Sequence, residues 1–298
     1  MNYDFVIDEH NLEKLVNYYH PFLEEKNDAR IMYSFKSPDF KITIYNTKKV
    51  LFQGKRAFEE YSLWAEHFGY EVKKPVDKSI YINEYFAEAV IGSDEVGTGD
   101  FFGPVVVCAA LVSPKDYEFL DKLNVRDSKS LNDKQIIYMG SKLIQSIPYH
   151  ILVLSPTKFN DLTAKGYNMN KIKAYLHNHA IKKMVSKHKY FDRVIIDQFC
   201  SKDLYFDYLK DEEVYKNITF HTKAESIHKS VAVASIIARY KFILEIQRIS
   251  KSIGVTLPKG SGPSTDAIGR IIYLQHGKDY FYKIAKINFK NMNKIIKK

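Results

Sequence analysis

Two adjacent carboxylates, Asp94 and Glu95, stand where an apolar run gives way to a glycine-rich turn. The stretch reads Ile91-Gly92-Ser93-Asp94-Glu95-Val96-Gly97-Thr98-Gly99-Asp100-Phe101-Phe102-Gly103-Pro104, and a second apolar run follows at 105–112. Short Val-rich runs bounded by Gly and Pro read as buried strands, so both acids sit at a strand end before a tight turn. Neighbouring acids there repel each other and lose solvation. Such a pair persists where a metal ion or a catalytic task offsets that cost; a solvated acidic turn is the plainer alternative. Two more acids repeat the design. Asp197 closes Val194-Ile195-Ile196, and Glu225 follows a run at 218–222 within Lys223-Ala224-Glu225. Each has its own plain explanation, a loop start for Asp197 and a helix-dipole partner for Glu225. The three places together are more specific than any one of them.

In open α/β sheets, sites form outside the carboxyl ends of strands, where loops splay and side chains converge. Four carboxylates meeting there would make an all-oxygen site suited to Mg²⁺ or Mn²⁺ rather than Zn²⁺. Two such ions about 4 Å apart are the usual means of in-line displacement at phosphorus. The glycines at 97, 99 and 103 also invite a nucleotide-cradle reading. Their spacing is off by one, and the residues after them read as strand rather than helix. A turn between antiparallel strands explains them better, and it would let backbone amides approach a nucleic-acid strand.

The elements that would position these acids fall into two groups. Residues 10–26 read as a helix on Leu12, Leu15, Val16, Tyr19 and Phe22, capped by Asn11. Three short alternating runs at 31–36, 40–45 and 50–53 form an antiparallel meander with one face of Lys, Thr and Tyr, and 56–68 reads as a second helix. This is a small α+β unit over 1–72. A polar, Lys-rich stretch with Pro75 serves as the linker, 73–87. From 88 to 298 strands alternate with helices: strands at 89–94, 102–112, 150–154, 193–197 and 218–222, and helices at 133–147, 171–187, 228–249 and roughly 265–297. That order predicts an α/β domain on a partly parallel sheet. Ala232, Ala234, Ser235 and Ala238 let the 228–249 helix press against it. Lys283, Lys286, Lys290, Lys294 and Lys297 recur at helical spacing, as a solvated face or a phosphate contact.

Composition sets the bounds. The 298 residues are ample for two domains, and 45% hydrophobic content permits a sizeable core. A formal net charge of +10 favours a polyanionic partner such as nucleic acid. The two cysteines, Cys108 and Cys200, lie in no CxxC, which excludes the common zinc and redox motifs. Neither a secretory signal nor an apolar stretch of about 18 residues is visible, so a cytoplasmic location without membrane attachment is expected.

With those residues in hand, the chain resembles the type 2 ribonucleases H, and among them the bacterial ribonuclease HIII branch. The resemblance rests on the 92–104 stretch, on Asp127-Ser128-Lys129, on Val194-Ile195-Ile196-Asp197, and on Lys223-Ala224-Glu225 followed by Val231-Ala232-Val233-Ala234-Ser235-Ile236-Ile237-Ala238-Arg239. It implies a ribonuclease H-like mixed sheet with flanking helices, plus a small N-terminal α+β domain resembling the TATA-binding-protein fold that binds substrate. It implies endonucleolytic cleavage of the RNA strand of RNA–DNA hybrids, with two Mg²⁺ or Mn²⁺ ions when substrate is bound, leaving 5′-phosphate and 3′-hydroxyl ends. Its four acidic positions fall on Asp94, Glu95, Asp197 and Glu225. It suggests Asp94 as the ligand shared by both ions and leaves Glu95 a share in placing substrate.

The HII relatives carry Gly-Arg-Gly in the turn, whose contacts help read a junction between ribonucleotide and deoxyribonucleotide. This chain has Gly97-Thr98-Gly99, which lacks the arginine fork. Long hybrids are therefore the expected substrate, and a lone ribonucleotide in duplex DNA a poor one. Amides of Gly97, Thr98 and Gly99 are candidates for the ribose 2′-hydroxyl, and Ser128 and Lys129 for a backbone phosphate. Asn288 stands where the family leads one to expect histidine. A monomer with no obligate protein partner is expected. Two other readings compete: a ribonuclease H-like nuclease acting on DNA, which would not need a turn that reads a 2′-hydroxyl, and a non-catalytic nucleic-acid-binding protein using the meander around Lys41, Thr43 and Tyr45.

Overall fold

The computed structural model describes residues 2–25, 28–72, 85–125, 128 and 131–296. The chain divides into two compact units between residues 77 and 78. The linker expected at 73–87 lies mostly outside the described residues. Its last three positions belong to the second unit, where Tyr85 is buried with Val90, Ile195 and Val231.

In the first unit four strands form one antiparallel sheet in the order β1-β4-β3-β2: β1 (Asn2–Val6), β2 (Ile31–Lys36), β3 (Phe40–Tyr45) and β4 (Lys49–Gly54). The expected three-stranded meander thus gains a strand. Asn2-Tyr3-Asp4-Phe5-Val6 pairs with β4 across its whole length, although its own pattern is too short to announce a strand. The helices Glu9–Tyr19 and Ala57–His67 supply Leu15, Tyr19, Tyr61 and Ala65 to a core with Phe35, Ile42, Ile44, Val50 and Phe52. Asp8 rather than Asn11 caps the first helix, accepting from the Asn11 amide at 2.8 Å. Thr43, expected on an open face, is buried, and the Lys41 ammonium is paired with Glu24 at 2.5 Å.

The second unit is built on a five-stranded sheet in the order β7-β6-β5-β8-β9: β5 (Val90–Val96), β6 (Val105–Val112), β7 (Tyr149–Leu154), β8 (Arg193–Asp197) and β9 (Thr219–His221). The β7, β6 and β5 strands pair antiparallel, whereas β5, β8 and β9 run parallel. The sheet is therefore mixed, with the acidic strand β5 at its centre.

A helix covers each face. Lys229–Ile253 lies against one, and its approach is set by glycine: a Cβ on Gly92 would stand 2.4 Å from the Val231 amide nitrogen. On the other face Met169–Lys187 packs Ala174, Ala180, Ile181 and Met184 onto Ile91, Val107, Val194 and Ile196. Cys108 is a free, buried core residue of β6, and Cys200 is free as well.

The C-terminal region differs from the single helical segment expected at 265–297. It breaks into Pro263–His276, Phe281–Ile284 and Lys290–Ile296. Gly277 adopts φ +74° after the first piece, and Ala285 leaves the helix to bridge Phe102. Phe102, expected to begin β6, makes that bridge instead. The lysine stripe is broken in consequence: Lys286 is fully buried and donates to the Gly103 carbonyl at 2.6 Å, and Lys297 lies outside the described residues.

Candidate active site

Adjacent residues of a strand point to opposite faces of the sheet, and this separates Asp94 from Glu95. Asp94 turns to the face covered by Lys229–Ile253, where the Ser235 hydroxyl helps to lower its pKa, and its Oδ1 accepts from the Glu95 amide at 2.7 Å. Glu95 turns to the face covered by Met169–Lys187. Its Oε1 accepts from Lys173 Nζ at 2.6 Å and its Oε2 from His177 Nε2 at 2.9 Å.

The parallel β5/β8 ladder ends at Ser93 opposite Ile196, so Asp94 and Asp197 follow at neighbouring strand ends on one face. Asp197 Oδ1 accepts from the Ala224 amide at 2.9 Å. That bond fixes the start of the turn Ala224–Ser226, which carries Glu225, partly exposed, just after Lys223 at φ +57°. Asp197 thereby links the second acidic strand end to the third.

Environment drives the two neighbouring carboxyls apart. Burial raises the Asp94 pKa, the charges of Glu95 and Asp197 push it further, and together they bring it to about 8 despite bonds from Ser235 and the Glu95 amide. Burial alone would raise Glu95 too, but His177 and Lys173 overcome it and leave that carboxyl below its usual range. An acid resisted by its surroundings beside one held ionised is a pattern of reactive sites.

Among the described residues, no three His, Cys, Asp or Glu side chains stand together as a ready-made metal shell. The convergence of all four carboxylates expected from the sequence is therefore incomplete. Strand alternation sends Glu95 to the opposite face, and Glu225 waits one turn beyond its strand. The donor set still suits a hard cation. Asp94, Asp197 and Glu225 offer oxygen alone, and Asp94 is destabilised as an anion by the like charges a cation would neutralise.

The turn after β5 is rigidly held. Gly97 has φ +94°, and a Cβ there would meet the Pro104 carbonyl oxygen at 2.2 Å. Thr98 is partly exposed and Gly99 exposed. Behind them Asp100 Oδ1 accepts from the Gly260 amide at 2.5 Å, and the Phe101 carbonyl from the Lys286 amide at 2.9 Å. Ser128 is buried and its hydroxyl lies 2.8 Å from Ser235 Oγ. It therefore supports Ser235, whose hydroxyl acts on the Asp94 carboxyl. The Arg239 guanidinium holds the Ser128 carbonyl and also pairs with Asp133. Lys129 lies outside the described residues.

Sequence reasoning gave no role to Lys173 or His177, only a packing role to Ser235, and to Lys286 a solvated face or a phosphate contact. A signal for the first two was present: with Ala180, Ile181 and Met184 they share one helical stripe, so two polar side chains occupy core-facing positions.

Residues 91–292 match the family model described as ribonuclease HII, and residues 5–76 match a domain of unknown function, DUF3378. Ribonuclease HIII of Phytoplasma mali (strain AT) is 43% identical over 296 residues, 98% of either chain. Ribonuclease HIII of Bacillus subtilis (strain 168) is 42% identical over 271 residues, 88% of this chain and 87% of its own. The crystal structure of Bst-RNase HIII in complex with Mn²⁺ superposes with a TM-score of 0.71 at 36% identity, covering 99% of this chain and 98% of that one.

Proposed function

The chain belongs to the ribonuclease HIII family and is a ribonuclease H-type hydrolase with a ribonuclease H-like fold, and from that premise we propose that it cuts the RNA strand of RNA–DNA hybrids internally, leaving 5′-phosphate and 3′-hydroxyl ends. The observation that carries this reading is the placement of Asp94 and Asp197 on one face at neighbouring parallel strand ends, with Asp197 holding the turn that bears Glu225.

In this reading Asp94, Glu95, Asp197 and Glu225 hold Mg²⁺ or Mn²⁺, two ions with substrate bound. The Mn²⁺ complex of the Bst enzyme supports the choice of metal. Bound ions would supply positive charge for activating water and for the leaving oxygen. The chain's own residues do the rest. Ser235 and the Glu95 amide orient the Asp94 carboxyl, the Ala224 amide orients Asp197, and the amides of Gly97, Thr98 and Gly99 face the ribose 2′-hydroxyl. Lys129 meets a backbone phosphate, while Ser128 contributes by steadying Ser235. The N-terminal unit raises affinity for the hybrid. The protein acts in the cytoplasm as a monomer without an obligate partner; among the described residues no helix is long and apolar enough to cross a membrane.

A labelled-strand assay tests this. The protein receives a long RNA–DNA hybrid, double-stranded RNA, double-stranded DNA and a DNA duplex with one ribonucleotide, each with Mg²⁺ or Mn²⁺ and with chelator. Cleavage confined to the RNA of the hybrid and abolished by chelator is expected. Equal cutting of double-stranded DNA, or indifference to chelator, would contradict it.

A further inference from the structure

We infer that Lys173 and His177 are positioning residues that aim Glu95 for the reaction, through a clamp tied to both acidic strands. This rests on the placing of Glu95 in the active site proposed above. Glu95 is the acid that strand alternation sends away from Asp94. On that face, among Ala174, Ile181 and Val107, a lone carboxylate would be costly and free to rotate. Instead each of its oxygens receives its own donor, Lys173 Nζ at 2.6 Å and His177 Nε2 at 2.9 Å. The donors lie four apart on one helix, so they share a face. A carboxylate only accepts, which makes Nε2 the protonated nitrogen of that pair. Two bonds fix the carboxylate plane and, among the described residues, leave one lone-pair direction on each oxygen without a donor.

The clamp is itself braced. His177 is fully buried, and its Nδ1 lies 2.7 Å from Ser93 Oγ, two residues before Glu95 on the same face of β5. Its ring stacks on Phe199 with centroids 5.3 Å apart and planes 25° apart. Lys173 Nζ stands 4.1 Å from the centroid of the same ring. Phe199 follows Asp197 by two residues, so one aromatic ring registers the Glu95 clamp against the strand that ends in Asp197. A buried ion pair kept only for stability could be exchanged for apolar packing at little cost. Two donors on a single carboxylate, one braced by Ser93 and both set against one ring, serve its direction.

The test uses full-length protein carrying Lys173→Met, His177→Asn, His177→Gln or Glu95→Gln. Asparagine places its amide near Nδ1, keeping the Ser93 partner but losing the donor to Glu95; glutamine reaches the Nε2 position. Melting curves, read first, set the folded fraction of each. Supporting groups of this kind cost about 10–100-fold in metal affinity or activity when removed. We expect Lys173→Met and His177→Asn to lower kcat about tenfold or more with KM within about twofold, and to weaken Mn²⁺ binding in substrate-free calorimetry by a similar factor. His177→Gln should recover most of both. The inference is overturned if Lys173→Met and His177→Asn keep kcat and Mn²⁺ affinity while Glu95→Gln loses kcat. It is overturned equally if His177→Gln falls as far as His177→Asn, since packing alone would then explain the loss. Normal kcat in Glu95→Gln would instead remove Glu95 from the site, and the premise with it.

Discussion

Thr98 is where a single side chain decides what the site accepts. It is partly exposed on a turn whose backbone is fixed by Gly97 at φ +94°, so an exchange there alters the surface offered to substrate and leaves the hairpin in place. Thr98→Arg should raise cleavage at a lone ribonucleotide in duplex DNA relative to the long hybrid by about tenfold, since a bidentate arginine contact discriminates by about 1–3 kcal/mol; an unchanged ratio in the paired assay would dismiss the role given to this position. Lys286 offers a residue-scale prediction of another kind. Burial lowers its pKa to about 7, with Asp100 opposing. An unfolded lysine binds its proton up to about 10.4, so between about pH 7 and 10 the unfolded chain holds the extra proton and the contribution of Lys286 to stability rises with pH. Denaturant titrations across that window should show Lys286→Met flattening the rise; identical slopes in variant and parent would refute it. The sequence hid this residue because it stands in step with four other lysines, and only the break at Gly277 and the bridge of Ala285 to Phe102 turn it inward.

Among elements, β5 carries the site and two helices decide how it is used. Its existence, its end and its two acids were legible from the Val-rich run and the glycines that stop it. So were β8 ending in Asp197 and the small-residue helix that covers one face. The side to which each acid turns was not legible, because that depends on which helix covers which face, and no local pattern in β5 records it. The stripe holding Lys173 and His177 did carry a trace, as polar residues in a core-facing row. Gly92 marks the closest helix–sheet approach. Gly92→Ala should cost about 1–3 kcal/mol or more through overpacking against the Val231 backbone, read as a lowered denaturation midpoint at constant slope. A midpoint equal to that of the parent would mean that the helix can withdraw without cost.

For the whole molecule, the sequence disclosed two units of different kind and a net charge of +10 suited to a polyanion. The fourth strand of the first unit escaped notice because five residues with mixed pattern acquire meaning only beside β4. The proposed division of labour gives chemistry to the second unit and added affinity to the first. Removing residues 1–75 should weaken hybrid binding and flatten its dependence on salt, since fewer phosphates are then neutralised, while metal-dependent cleavage persists at high enzyme concentration. Unchanged affinity and salt slope would leave the first unit without that role.

All of this depends on Asp94 lying at the reacting centre, and one exchange tests it. Asn keeps the size of Asp94 and can still accept from the Glu95 amide, but it cannot carry the charge that a divalent ion requires. With the long RNA–DNA hybrid and either Mg²⁺ or Mn²⁺, Asp94→Asn should lose at least about 100-fold in kcat, the scale on which single electrostatic groups act in active sites, with substrate affinity retained and melting temperature unchanged or raised. Cleavage within a few-fold of the parent chain would contradict the account.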